Sequence, residues 1–90
     1  MPRYKDYVNI QYTVLKNEAD LVDEAVGKEI GSYFKDGELT FSHFEVSTHY
    51  RFPFKGREHE FINVVVEAPG MTLEIANKGR KIARSHGALV

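Results

Sequence analysis

Ninety residues amount to one domain's worth of chain, and a domain of that size buries only roughly 60–65% of the surface its unfolded chain exposes, so its core is thin. The composition, 42% hydrophobic and 28% charged with eleven Phe and Tyr, is that of a globular protein, and the absence of cysteine excludes a disulfide framework, a thiolate nucleophile and a Cys-based zinc site. The net charge of −1 hides an asymmetry: residues 1–45 hold five Lys/Arg against nine Asp/Glu, and residues 46–90 hold seven against four.

The segment Met1-Pro2-Arg3-Tyr4-Lys5-Asp6 is polar and runs straight into a strand pattern, without the apolar stretch of a signal peptide or the Arg/Ser bias of a transit peptide. No apolar run approaches the ~18 residues needed to cross a bilayer. The expectation is a cytoplasmic protein, one domain over residues 1–90, with no membrane association.

Val8, Ile10, Tyr12 and Val14 alternate with Asn9, Gln11 and Thr13, the period of a strand with one buried face, which predicts a first strand over Tyr7 to Lys16. Asn17 then precedes an acidic turn, and Val22, Ala25, Val26, Ile30, Tyr33 and Phe34 recur at helical spacing up to Lys35-Asp36-Gly37, where Gly37 is suited to a left-handed cap. From Leu39 alternation returns with a slip between Phe41 and Phe44 that predicts a bulge near His43. Phe44, Val46, Thr48, Tyr50 and Phe52 then share a face.

A hairpin connection at Pro53-Phe54-Lys55-Gly56-Arg57 leads to a third strand, Phe61 to Ala68, with Ile62, Val64 and Val66 on one side and Phe61, Asn63 and Val65 on the other. A strand apolar on both faces belongs in the centre of a sheet. Pro69-Gly70 breaks it, Thr72 caps a second helix with Ile75, Ala76, Gly79, Ile82 and Ala83 as its apolar stripe, and Gly87 closes that helix. The order β-α-β-β-α with a right-handed crossover places the third strand between the first two and both helices on one face. The expected fold is an α+β two-layer sandwich, a ferredoxin-like layer lacking its last strand. Ala88-Leu89-Val90 supplies a stub of that strand or pairs with another copy of the chain.

Candidate sites follow from the faces. Pairing Phe44, Val46 and Tyr50 with Ile62, Val64 and Val66 leaves His43, Glu45, Ser47, His49, Arg51, Phe61, Asn63 and Val65 on a face with no helix over it. Polar groups around Phe61 and Val65 there make a platform that docks a partner or stacks on bases, or half of a homodimer. The partner-binding residues expected are therefore His43, Glu45, His49, Arg51, Phe61, Asn63 and Val65. The second helix carries Lys78, Arg80, Lys81 and Arg84 with no acid after Glu74, able to track phosphates or to neutralise the neighbouring helix, where residues 17–38 sum to −5.

His43 and His49, six residues apart on a strand, are about 20 Å from each other and cannot share an ion, so no metal and no cofactor is expected. Acid–base catalysis would need His43 or His49 oriented by Glu45. Gly27 and Gly31, four apart, predict a close approach on the first helix, with the second helix as the expected neighbour.

Gly56-Arg57-Glu58-His59-Glu60-Phe61, Val64-Val65-Val66 and the lysines Lys78 and Lys81 distantly resemble a double-stranded-RNA-binding domain. The proline after the glycine, the His-to-Phe spacing, the lysine position and the strand count all depart from that family's pattern, and its function is not carried over. The leading expectation is a non-enzymatic interaction module (an adaptor, inhibitor or regulatory protein) binding a protein partner or itself through the uncovered sheet face or a strand edge. Nucleic-acid binding by the basic helix is the alternative, and an acid–base enzyme the third.

Overall fold

The computed structural model describes residues 8–46 and 60–90. The elements run β1 (Ile10–Leu15), α1 (Ala19–Ile30), β2 (Thr40–Glu45), β3 (Phe61–Glu67) and α2 (Leu73–Ser85). The three strands form one antiparallel sheet in the order β1-β3-β2. The strand with two apolar faces is indeed central, and the first two strands flank it.

Alternation decides what each face holds. Ile10, Tyr12 and Val14 of β1 lie opposite Val66, Val64 and Ile62 of β3, and all six are buried. Val22, Val26 and Ile30 from α1 and Ala76, Gly79 and Ala83 from α2 close over them. Both helices thus cover one face of the sheet, burying its apolar side chains at roughly 1.5–3 kcal/mol for each large one.

The helix ends show which local signals the chain uses. Thr72 caps α2, its hydroxyl accepting the Ile75 backbone N–H at 3.2 Å. At the far end Gly87 takes φ +93°, with Gly87 N–H bonded to the Arg84 carbonyl and Ala88 N–H to that of Ala83, the paired bonds of a left-handed helix stop. That stop turns the chain back onto the sheet, burying Ala88 and letting Leu89 exchange both backbone hydrogen bonds with Thr13 at 2.8 Å. A one-residue stub of a further strand therefore lies on the outer edge of β1. Asn17, by contrast, makes no cap: it lies in a 3-10 turn, Lys16–Glu18, that leads into α1. That helix also ends sooner than its pattern suggests, through a 3-10 turn at Gly31–Tyr33, and Gly37 serves the following turn instead.

Two further expectations are corrected. β2 pairs with β3 in unbroken register from Thr40↔Glu67 to Glu45↔Ile62, so no bulge occurs at His43. The close helix approach falls at neither Gly27, whose nearest neighbour is the Phe41 ring at 3.7 Å, nor Gly31, which has nothing within 4 Å. It falls at Gly79, where an added Cβ would collide with the Ile10 side chain and come within 3.6 Å of Val26 Cγ1. No helix among the described residues is long and apolar enough to cross a membrane.

Gly79→Val should destabilise the protein by about 2 kcal/mol, because Ile10 is fully buried and cannot yield freely. Gly31→Ala should stabilise it by about 0.5–1 kcal/mol, since Gly31 has φ −60° in open space. Urea denaturation of both variants checks the pair; equal effects would place the close contact elsewhere.

Candidate functional site

The uncovered face is built from the odd residues of β1 and β3 and the even residues of β2. Register sets them in rows across the sheet. Leu89, Thr13, Asn63 and Phe44 form one row, each paired with the next. Gln11, Val65 and Ser42 form the row on one side, and Leu15 with Phe61 the row on the other. At the centre the Thr13 hydroxyl donates to Asn63 Oδ1 at 2.5 Å. At the edges Phe44 is 54% exposed and Leu89 64%. The depression between these lips, about 330 Å³, is floored by Thr13, Asn63 and Val65 and closed at one side by Leu89 and Val90. Among the described residues of the strands' open face, Glu67 is the only charged side chain.

Phe61, Asn63 and Val65 therefore occupy the face expected for them. His43 and Glu45 do not. The register pairs His43 with Val64 and Glu45 with Ile62, which puts both on the helix side, while Phe44 opposite Asn63 points to the open side. A one-residue shift in phase inverts every side chain of a strand. The physical reason lies in the narrow helix layer: β2 is an edge strand whose Ser42, His43, Phe44 and Glu45 are all exposed, so hydrophobicity alone did not select its inner face. His49 and Arg51 lie outside the described residues.

On the inner face of β2, Phe41 packs against the core and His43 makes a polar contact. His43 Nε2 lies 2.5 Å from Asp23 Oδ2, and the other oxygen of that carboxylate accepts the Tyr12 hydroxyl at 2.7 Å. An ionised carboxylate only accepts, so the His43 proton sits on Nε2. Asp23 is 14% exposed and His43 38%. Burial, reinforced by the hydrogen bond to Asp23 and the charge on it, pushes the Tyr12 phenol far above its ordinary value. The carboxylate that orients His43 is thus Asp23 of α1, twenty residues away in sequence, not Glu45. Among the described residues, surface pockets of about 380, 300 and 330 Å³ are lined without His43.

The basic helix is partly engaged at home. Lys78 Nζ donates to the Tyr33 hydroxyl at 2.7 Å and lies 5.1 Å from that ring's centroid, and the hydrogen bond pushes the Lys78 ammonium above its ordinary value. Arg80 donates to Asn77 Oδ1 and to the Asn9 carbonyl. Lys81 and Arg84 are exposed and, among the described residues, form no side-chain hydrogen bond or ion pair. No ion pair among the described residues joins α1 to α2, so the opposite charges of the two helices do not neutralise each other by direct contact. These cations lie on the helix layer, away from Phe61, so one ligand cannot stack on that ring and follow the helix together.

Two-layer α+β architecture with one sheet face bare among the described residues is as far as fold and site define the class. Comparison with protein-family models, with curated proteins and with solved structures gave no match in any of the three.

The raised Tyr12 value has a sign that can be tested. The unfolded chain loses this proton near pH 10 while the folded state holds it, so stability is intact below about pH 10 and falls above it, by up to about 1.4 kcal/mol per pH unit. Tyr12→Phe should remove this alkaline fall, read by denaturant titrations from pH 7 to 11.5. An unchanged slope in the variant would show that Tyr12 is not its source. At pH 7, Asp23→Ala should cost about 1–3 kcal/mol by leaving the buried Tyr12 hydroxyl without its acceptor.

Proposed function

We propose that this chain is a non-enzymatic protein-interaction domain of the cytoplasm, a ferredoxin-like layer that docks a protein through the open face of its sheet. The observation that carries the reading is the row Leu89–Thr13–Asn63–Phe44, with exposed hydrophobic side chains at both lips and its central polar pair already hydrogen-bonded. Apolar lips give a partner area to bury, the Thr13–Asn63 bond pairs one acceptor at the centre, and the Asn63 amide N–H₂ offers donors to a partner's carbonyl. The sheet order β1-β3-β2 and the Leu89 bridge on the edge of β1 support the fold assignment.

Charge favours protein over nucleic acid as the occupant of this face. Phosphate recognition draws on clustered Lys and Arg, and the strands' open face offers one glutamate and no cation among its described residues. The cations at Lys78, Arg80, Lys81 and Arg84 stand on the other side of the molecule, two of them held by Tyr33 and Asn9.

A photo-crosslinking residue at Ser42, exposed on the open face, should yield protein adducts in the cells that natively express the chain. The same residue at Lys81 should yield none, and the purified protein should leave a mixed DNA and RNA pool unshifted at 50 mM salt. Adducts from Lys81 alone, or a shift of nucleic acid that vanishes as salt rises, would overturn the reading in favour of the basic helix.

A further inference from the structure

Resting on the reading of this chain as a protein-docking domain, we propose that its partner also joins the sheet, an extended segment that alternates basic and apolar residues adding as a further strand along the outer edge of β2.

The ladder shows which backbone groups β2 turns outward. Val46 N–H donates to the Phe61 carbonyl at 3.4 Å, and bonded positions in an antiparallel pair recur at every second residue, so Phe44, Ser42 and Thr40 turn their backbone groups to β3. Phe41, His43 and Glu45 turn theirs to the outer edge. Among the described residues no strand pairs with that edge, whereas the outer edge of β1 is engaged at Thr13 by Leu89. Edge groups of this kind are a template for another strand, and the main-chain hydrogen bonds they offer give an extended peptide its affinity.

Charge selects which peptide. Above this edge α1 runs opposite to β2, with Gly27 against the Phe41 ring and Asp23 against His43. One helical turn before Asp23 stands Asp20, and two residues past His43 on the same strand face stands Glu45, so the same progression brings these two carboxylates to one end of the edge. Both are exposed, and among the described residues neither has an ion pair or a side-chain hydrogen bond. Two cations of this region are engaged elsewhere, Lys28 with Glu24 at 3.1 Å and Lys16 with Glu60 at 3.9 Å.

A residue paired with His43 or Glu45 shares their side of the sheet, so Lys or Arg at those positions of the added strand meets Asp20 and Glu45. The residues between them fall on the open side beside Phe44, which is 54% exposed, and there an apolar side chain is favoured. The same acids repel phosphate. Strand addition thus continues the open face outward by one strand, for a protein and not for a nucleic acid.

Amide NMR of the full chain, titrated with an end-capped peptide alternating lysine and valine, tests this. The amides of Phe41, His43 and Glu45 should shift and exchange more slowly, while those of Gln11 and Thr13 on the far edge stay unchanged. Methylating every backbone nitrogen of the peptide removes its donors and should weaken binding at least about 10-fold. A glutamate–valine peptide should bind at least about 10-fold more weakly than the lysine one, and Glu45→Lys, a change at an exposed position, should narrow that gap. Equal binding by the methylated peptide overturns the proposal, as does equal binding by the glutamate peptide or the absence of β2 shifts at millimolar peptide.

The crosslinking from Ser42 separates the two claims. Ser42 adducts in cells, with no β2 shifts from the lysine peptide, remove the added strand and keep the docking face. Absence of both removes both.

Discussion

At Gly79 a helix, a second helix and a strand meet without an intervening side chain. The absent Cβ lets α2 settle against Ile10 of β1 while Val26 of α1 closes the same gap from the side. Glycine within a helix costs about 1 kcal/mol relative to alanine, a cost offset here by the close approach of two fully buried side chains, Ile10 and Val26. The rest of the architecture follows from how deeply α2 sits. Drawn onto β1, the helix ends where its glycine stop can return Leu89 to Thr13, and the two helices together cover β1 and β3 but leave β2 largely bare.

An edge strand that the helices barely cover needs another reason to keep its register. Phe41 reaches under α1 against Gly27, and the His43–Asp23–Tyr12 chain ties β2 through α1 to β1. A buried hydroxyl and a nearly buried carboxylate are expensive unless paired, so any slip that separates His43 from Asp23 leaves Asp23 with the Tyr12 hydroxyl as its one side-chain partner among the described residues. The packing of Phe41 and the polar contact of His43 together set which way β2 faces. That orientation also leaves Phe44 on the open side.

This is why the sequence was legible for most of the fold and misleading at one strand. The alternation of Ile10, Tyr12 and Val14, the two apolar faces around Val64 and Val65, the Thr72 cap, the Gly87 stop and the central position of β3 all express burial or backbone geometry that a local pattern records. The phase of β2 depends also on Asp23, which from the sequence is one acid among seven in residues 17–38. Nothing local marks it as the partner of His43. The same limit applied to the site: Phe61, Asn63 and Val65 were placed correctly by the period of their own strand, whereas His43 and Glu45 were assigned to the open face, which holds Phe44 instead. Gly27 and Gly31 have the spacing of a close-packing groove, yet the close contact forms at Gly79, which in the sequence is one position of the apolar stripe of α2.

The remaining physical tension lies in β3. Its inner face, Ile62, Val64 and Val66, is closed by both helices, while its outer face keeps Phe61 and Val65 only half covered. A strand with this composition on both sides is typical of sheets covered on both sides, and a ninety-residue chain has no third layer of its own among the described residues. Small domains gain most from added burial, because so little of their surface is removed from water in the first place. On the reading of the open face as a docking surface, a partner laid across it would supply the missing layer to β3 and meet the Asn63 amide donors, since the Thr13 hydroxyl engages only Asn63 Oδ1. The unusual composition of one central strand, the polar pair at the middle of its face and the apolar side chains at both edges then have a single explanation.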